Sequence, residues 1–212
     1  RMTTQILILG QRQTALVAKQ TAEVDVLTGG RLRLGVGLGW NHVEYEALGE
    51  DFSNRGLRSE EQIDVLKKLW ANDLVTYKGR WHKITDAGIN PLPKRRTIPI
   101  WLGGGAEQVL KRIAKMGEGW FIPGYGELPN EEWYRKYELL QQFSNREGRD
   151  SATIGIEKIV NTSDSRDELL EKAGRWEEAG ATHFSVNTMG AGLKTPADHI
   201  AAIRFFKESV TE

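Results

Sequence analysis

The chain has 212 residues, and 29 lysine and arginine side chains are balanced by 29 aspartates and glutamates. Zero formal net charge gives no general attraction to nucleic acid or an anionic membrane, and the lack of cysteine excludes disulfides, thiolate metal sites and cysteine nucleophiles. No apolar run approaches the ~20 residues that span a bilayer and no basic-then-apolar leader precedes the first strand-like segment, so one soluble, cytoplasmic domain over residues 1–212 is expected.

The opening "MTTQILIL" reads as a strand. A strand that starts almost at residue 1, behind an arginine, favours a chain that is the later part of something longer. "TALVAKQTAEVDVL" follows as an amphipathic helix with Leu16, Val17, Val24 and Leu27 near helical spacing, stopped by Gly29 and Gly30. "RLRLGVG" predicts a second strand. "GLRSEEQIDVLKKLW" predicts a helix on the stripe Leu57, Ile63, Leu66, Leu69 and Trp70. Residues 72–97 break the rhythm with "LVTYKG", "RWHKI", Pro91 and Pro93, and read as an excursion built from a hairpin and a loop.

The rhythm resumes with the strand "TIPIWLGGG" and the helix "AEQVLKRIAKMG". "GWFIPG" and "NEEWYRKYELLQQFSNREG" form the next pair. "ATIGIEKIV" precedes "RDELLEKAGRWEEAG", which Ser165 and Glu168 open as a capping box. "THFSVNT" leads to "PADHIAAIRFFKESV", with Thr195, Pro196 and Asp198 marking its start. Alternating strands and helices predict parallel pairing, in a doubly wound sheet or a (β/α) barrel. A dinucleotide fingerprint read from Gly35 fails because Trp40 stands where the third glycine belongs. The expected fold is therefore α/β, of the (β/α)8 TIM-barrel type with about six units, an incomplete barrel with an insertion after its second helix.

Gly35, Gly37 and Gly39 share one face of a strand, which a flat ring or another backbone can approach closely, or which simply relieves crowding. Gly103, Gly104 and Gly105 stand between a strand and a helix amino terminus, where free N–H groups and the helix dipole favour a phosphate. Such glycines also make ordinary turns.

These blocks, "VLTGGRLRLGVGLGWNHVEYEALGEDFSNRGLRSEEQIDVLKKLW" and "PIWLGGGAEQVLKRIAKMGEGWF", resemble the luciferase-like superfamily of flavin- or deazaflavin-dependent oxidoreductases, in its bacterial coenzyme F420-dependent branch. The likeness runs over essentially the whole chain. It implies a (β/α)8 barrel with F420 or FMN over the carboxyl ends of the strands, a small-molecule substrate and, commonly, a homodimer. By this likeness "MTTQILIL" matches the third strand of the family's barrel, so the first two strand-helix units are absent. The resemblance further implies that Gly37 and Asn41 lie at a cofactor-bearing strand end, with Asn41 hydrogen-bonding the cofactor. It places the phosphate at Gly103, Gly104 and Gly105, near Trp120 and Ile122. It also implies a non-proline cis peptide beneath the ring at Gln5–Ile6, although the family usually has a smaller residue than Gln5.

Read without the resemblance, Asn41 caps the helical segment that follows it. Arg55 and Arg58 either reach a phosphate or lie on a solvated face beside Glu60 and Glu61. Of the tryptophans, Trp40 and Trp120 sit at strand ends expected to face the site. His42, His82, His183 and His199 lack metal-ligand spacing, so no metal is expected, and only His42 is a candidate acid or base. No lysine stands out as an imine former. The expected function is oxidoreduction by a luciferase-like enzyme, either hydride transfer or monooxygenation, with no catalytic residue assigned. The alternatives are a non-catalytic barrel remnant that binds flavin or forms a dimer, and an isomerase or aldolase barrel using the Gly103–Gly105 seat.

Overall fold

The computed structural model describes residues 2–124, 126–161 and 165–211. The chain divides into two compact units, residues 1–103 with 116–118, and residues 104–115 with 119–212.

The first unit starts with two short strands, β1 (Met2–Thr3) and β2 (Leu7–Ile8), where the sequence predicts one. Both pair in parallel with β3 (Leu32–Gly37), through Thr3 opposite Arg33 and Leu7 opposite Val36. Four residue steps on one side face three on the other, a bulge with one extra residue. The Thr4 hydroxyl fills the gap, accepting from the Gly35 N–H and donating to the Gly35 carbonyl, both at 2.9 Å. On its other edge β3 pairs in parallel with β6 (Ile100–Gly103). The crossover helix α1 (Thr14–Leu27) has the predicted bounds but not the predicted face. It buries Val17, Ala18 and Ala22, while Leu16, Val24 and Leu27 are exposed, because the small residues allow α1 to lie close to its neighbours. The short helix α2 (His42–Ala47) precedes α3 (Arg55–Ala71), which buries Ile63, Leu66, Leu69 and Trp70 but leaves Leu57 exposed. The excursion is an antiparallel hairpin of β4 (Val75–Lys78) and β5 (Lys83–Ala87), followed by a loop with a cis Asn90–Pro91 bond.

The second unit carries α4 (Glu107–Met116), then β7 (Gly119–Phe121), α5 (Glu131–Arg146), β8 (Gly155–Asn161), α6 (Arg166–Glu178), β9 (His183–Asn187) and α7 (Pro196–Thr211). β7, β8 and β9 pair in parallel in sequence order. The Ser165–Glu168 capping box forms as predicted, and Thr195 and Asp198 bond reciprocally ahead of α7. Local side-chain signals set these starts, since each satisfies N–H groups the helix itself cannot. Trp120 and Trp176, with Trp133 between them, form the buried centre; Trp133 stacks on Trp120 at 5.5 Å and meets Trp176 edge-on at 5.2 Å. In each unit, strands follow one another in parallel with helices between them, the arrangement of a (β/α) barrel. Six strand-helix units are present among the described residues.

Candidate functional site

In the first unit the strand ends bring Ile6 over Gly37. The Gln5–Ile6 peptide is cis, at the position the resemblance implies. A Cβ added to Gly37 would overlap Ile6 Cδ1, so this face of β3 is filled by the chain's own side chain. Of the two readings of these glycines, relief of crowding describes Gly37 and Gly39, and the face is not left open to a ring. Gly37 makes room for Ile6, and Ile6, 39% exposed, is itself the apolar surface presented at the strand end. Gly39 repeats the arrangement with Ile8 and has φ of +70°, which a side chain rarely adopts.

Asn41 caps α2, its Oδ1 accepting from Val43 N at 3.2 Å and its Nδ2 donating to Glu44 at 3.1 Å. Beside it Trp40 stands 86% exposed. Buried Tyr45 donates to the Leu38 carbonyl and meets Phe52 edge-on at 5.4 Å. Burial pushes the Tyr45 hydroxyl pKa up, against the lowering influence of Arg58 and Arg55. The two arginines do not lie on a solvated face. Arg58 donates to Glu50 and to the Gly10 carbonyl, and Arg55 sits 3.6 Å from the Phe52 ring centre and donates to the Phe52 carbonyl. Burial is tolerated because each guanidinium finds an acceptor or a ring.

His42 is exposed and edge-on to Phe52 at 6.3 Å. The histidine embedded in a polar network is instead His82. Its Nδ1 lies 2.8 Å from Glu61 and its Nε2 lies 2.7 Å from the Thr14 hydroxyl. Glu61 also accepts backbone N–H groups of Arg80, Trp81 and His82, and so fixes the hairpin turn to α3. Burial raises the Glu61 pKa, but the bonds from His82, Trp81 and Arg80 outweigh it and hold the carboxyl below its ordinary value. Nothing local in the sequence reveals this, because the partners are 21 and 68 residues apart.

In the second unit Gly104 has φ of +120°, and its carbonyl accepts the Trp120 indole N–H at 2.7 Å. Gly104 and Gly105 thus form a turn pinned from beneath, ahead of the amino terminus of α4. Gly103, by contrast, ends β6 in the first unit. In the first turn of α4 the Val109 N–H donates to the Ala106 carbonyl at 2.8 Å, while those of Glu107 and Gln108 have no acceptor within the helix and favour an anion. The nearby acid Glu107 is paired with Lys111 at 2.7 Å. This turn fits a phosphate. Ile122 is buried, and its N–H donates to the Glu157 carbonyl at 3.2 Å. Ile122 also lines a cavity of about 370 Å³ with Gly124, Gly126, Lys158 and Lys172. Lys158 is 6% exposed, donates to the Gly126 carbonyl at 2.7 Å and lies 4.4 Å from the Trp176 ring centre. Burial lowers its pKa, opposed by Glu127. Among the described residues no group of histidines, aspartates and glutamates is placed to hold a metal ion, and no helix is long and apolar enough to cross a membrane.

A family model described as luciferase-like monooxygenase matches residues 1–205. The chain belongs to this family. As a luciferase-like protein it is 27% identical over 194 residues to an FMNH(2)-dependent dimethylsulfone monooxygenase of Pseudomonas putida, covering 88% of this chain and 53% of that relative. It is 36% identical over 210 residues to an uncharacterised protein of Mycobacterium tuberculosis, covering 97% and 69%. Among solved structures it is similar to an F420-dependent secondary alcohol dehydrogenase in complex with an F420-acetone adduct. There the TM-score is 0.79 at 16% identity, covering 99% of this chain and 79% of that one. That likeness carries the fold, which is α/β of the (β/α)8 barrel type. The chain spans about half the length of the dimethylsulfone monooxygenase, 53% of it.

Proposed function

We propose that this luciferase-like chain bears the cofactor site of an oxidoreductase that uses F420 or FMN on a small organic substrate, by hydride transfer or monooxygenation, and that it works as a homodimer. The observation that carries the reading is the Gly104–Gly105 turn, pinned by Trp120 ahead of α4, in a chain of this family. Backbone N–H groups at Gly105 and in the first turn of α4 would hold the cofactor phosphate. Within the first unit, taken by itself, the candidate contacts for a ring are the apolar surface of Ile6 and the second Nδ2 hydrogen of Asn41, the first being spent on Glu44. When bound, a reduced flavin supplies hydride or activates oxygen, and F420 supplies hydride alone. Leu16, Val24 and Leu27, exposed on α1, support an association surface.

The experiment is a titration of the 212-residue chain with F420 and, separately, with FMN, followed by cofactor fluorescence. Saturable binding of one in preference to the other, lost in Gly104→Val, is expected. Binding of neither, or equal binding by parent and variant, overturns the reading.

A further inference from the structure

A second cavity, of about 480 Å³, lies wholly within the first unit, between the amino terminus of α1, α3 and the β4–β5 hairpin. Its lining includes the cations Arg12, Arg58 and Lys83 and a single carboxylate, Glu50. Arg58 and Glu50 neutralise one another. Arg12 and Lys83 are exposed, and among the described residues neither has a carboxylate partner. The cavity therefore keeps an excess of positive charge.

The helix end adds donors. α1 starts at Thr14 with no side-chain cap and no acid in its first turn, and Thr14 and Ala15 line the cavity. Their N–H groups have no acceptor within the helix. The Thr14 hydroxyl does not cap them: it lies 2.7 Å from His82 Nε2 and accepts from Gln62 Nε2 at 3.1 Å. Gln62 provides an independent sign of a ligand. It is 2% exposed and lines the cavity, and its Nε2 is spent on Leu9, Arg12 and Thr14 oxygens while its Oε1 has no hydrogen-bond partner. A buried acceptor left without a donor costs free energy that a ligand hydroxyl would recover.

We propose that this cavity binds a small molecule carrying both a phosphate group and a hydroxyl. The phosphate oxygens take the α1 N–H groups and the Arg12 and Lys83 side chains, and the hydroxyl donates to Gln62 Oε1. The site shares no residue with the turn ahead of α4, so it stands or falls independently of the cofactor.

The test is calorimetry on the intact chain in low-salt, phosphate-free buffer with glycerol 3-phosphate, methyl phosphate and inorganic phosphate, paired with amide NMR. Glycerol 3-phosphate is expected to bind most tightly and to shift the Thr14, Ala15 and Trp81–Ile84 amides. Arg12→Gln with Lys83→Gln, both at exposed positions, is expected to weaken it about tenfold or more. Shifts confined to Gly104–Glu107, unchanged affinity in the double variant, or a Kd above about 10 mM overturns the site. Methyl phosphate or inorganic phosphate binding as tightly as glycerol 3-phosphate overturns the ligand class.

Discussion

The glycines of β3 and those ahead of α4 look alike in the sequence, yet the structure uses them in opposite ways. At Gly37 and Gly39 the missing side chains are replaced by the chain's own Ile6 and Ile8. At Gly104 what matters is the backbone angle, φ of +120°, and the nearest side-chain atom to an added Cβ, on Val109, is at 3.4 Å, an ordinary contact. Gly37 serves packing and Gly104 serves conformation, so the two should fail differently when a side chain is added.

The largest effect is expected at Gly37. Gly37→Val puts a branched side chain where Ile6 already lies in a fully buried strand, and overpacking of this kind costs about 3 kcal/mol. If the conflict is with Ile6, shortening Ile6 relieves it. Thermal denaturation of Gly37→Val, Ile6→Ala and the pair should give a double variant more stable than Gly37→Val alone. A double variant that is merely the sum of the two losses removes the packing account.

Gly104→Val should cost about 2 kcal/mol through backbone strain. Here no neighbouring truncation should help, because the penalty is carried by φ. Val109→Ala is the control, and recovery of stability in Gly104→Val with Val109→Ala would show the turn to be a packing site after all. The cofactor titration reads the same variant independently of its melting temperature.

What was legible in the sequence follows the range of the interactions. The Gly29–Gly30 stop of α1, the Ser165 capping box and the Pro196 start of α7 depend on residues within a turn of one another, and their spacing is visible in a string of letters. The α4 glycine turn was legible for the same reason. The face of α1 was not, because Leu16, Val24 and Leu27 have the hydropathy of core residues while burial depends on which neighbours leave space, and here it is taken by Val17, Ala18 and Ala22. The split of the first strand was hidden too, since Thr4 replaces a ladder bond through Gly35, 31 residues away. Lys158 and the Glu61–His82–Thr14 chain were missed on the same grounds. Each becomes unusual only through partners that folding brings to it.

A smaller effect sharpens the conformational side of the comparison. Trp120→Phe keeps the ring on Trp133 but removes the N–H that the Gly104 carbonyl accepts, at a cost of about 1 kcal/mol. The variant should also loosen the turn, so its cofactor affinity should fall even where the fold persists. Unchanged affinity would mean that the turn holds its shape through φ alone, without the indole beneath it.

The smallest effect in stability is expected at Asn41, and it separates two roles on one side chain. Asn41→Ala removes an amino-terminal cap from the six-residue α2 and should cost about 0.5 kcal/mol, whereas Asn41→Ser keeps an oxygen for the Val43 N–H and should recover most of that loss. Serine cannot supply the second amide hydrogen. If Asn41 also holds a cofactor ring, Asn41→Ser should therefore be near parental in melting temperature and weakened in cofactor affinity. A variant parental in both would leave Asn41 as a cap, and the ring end of the proposed site would then rest on Ile6, whose position depends on the glycine behind it.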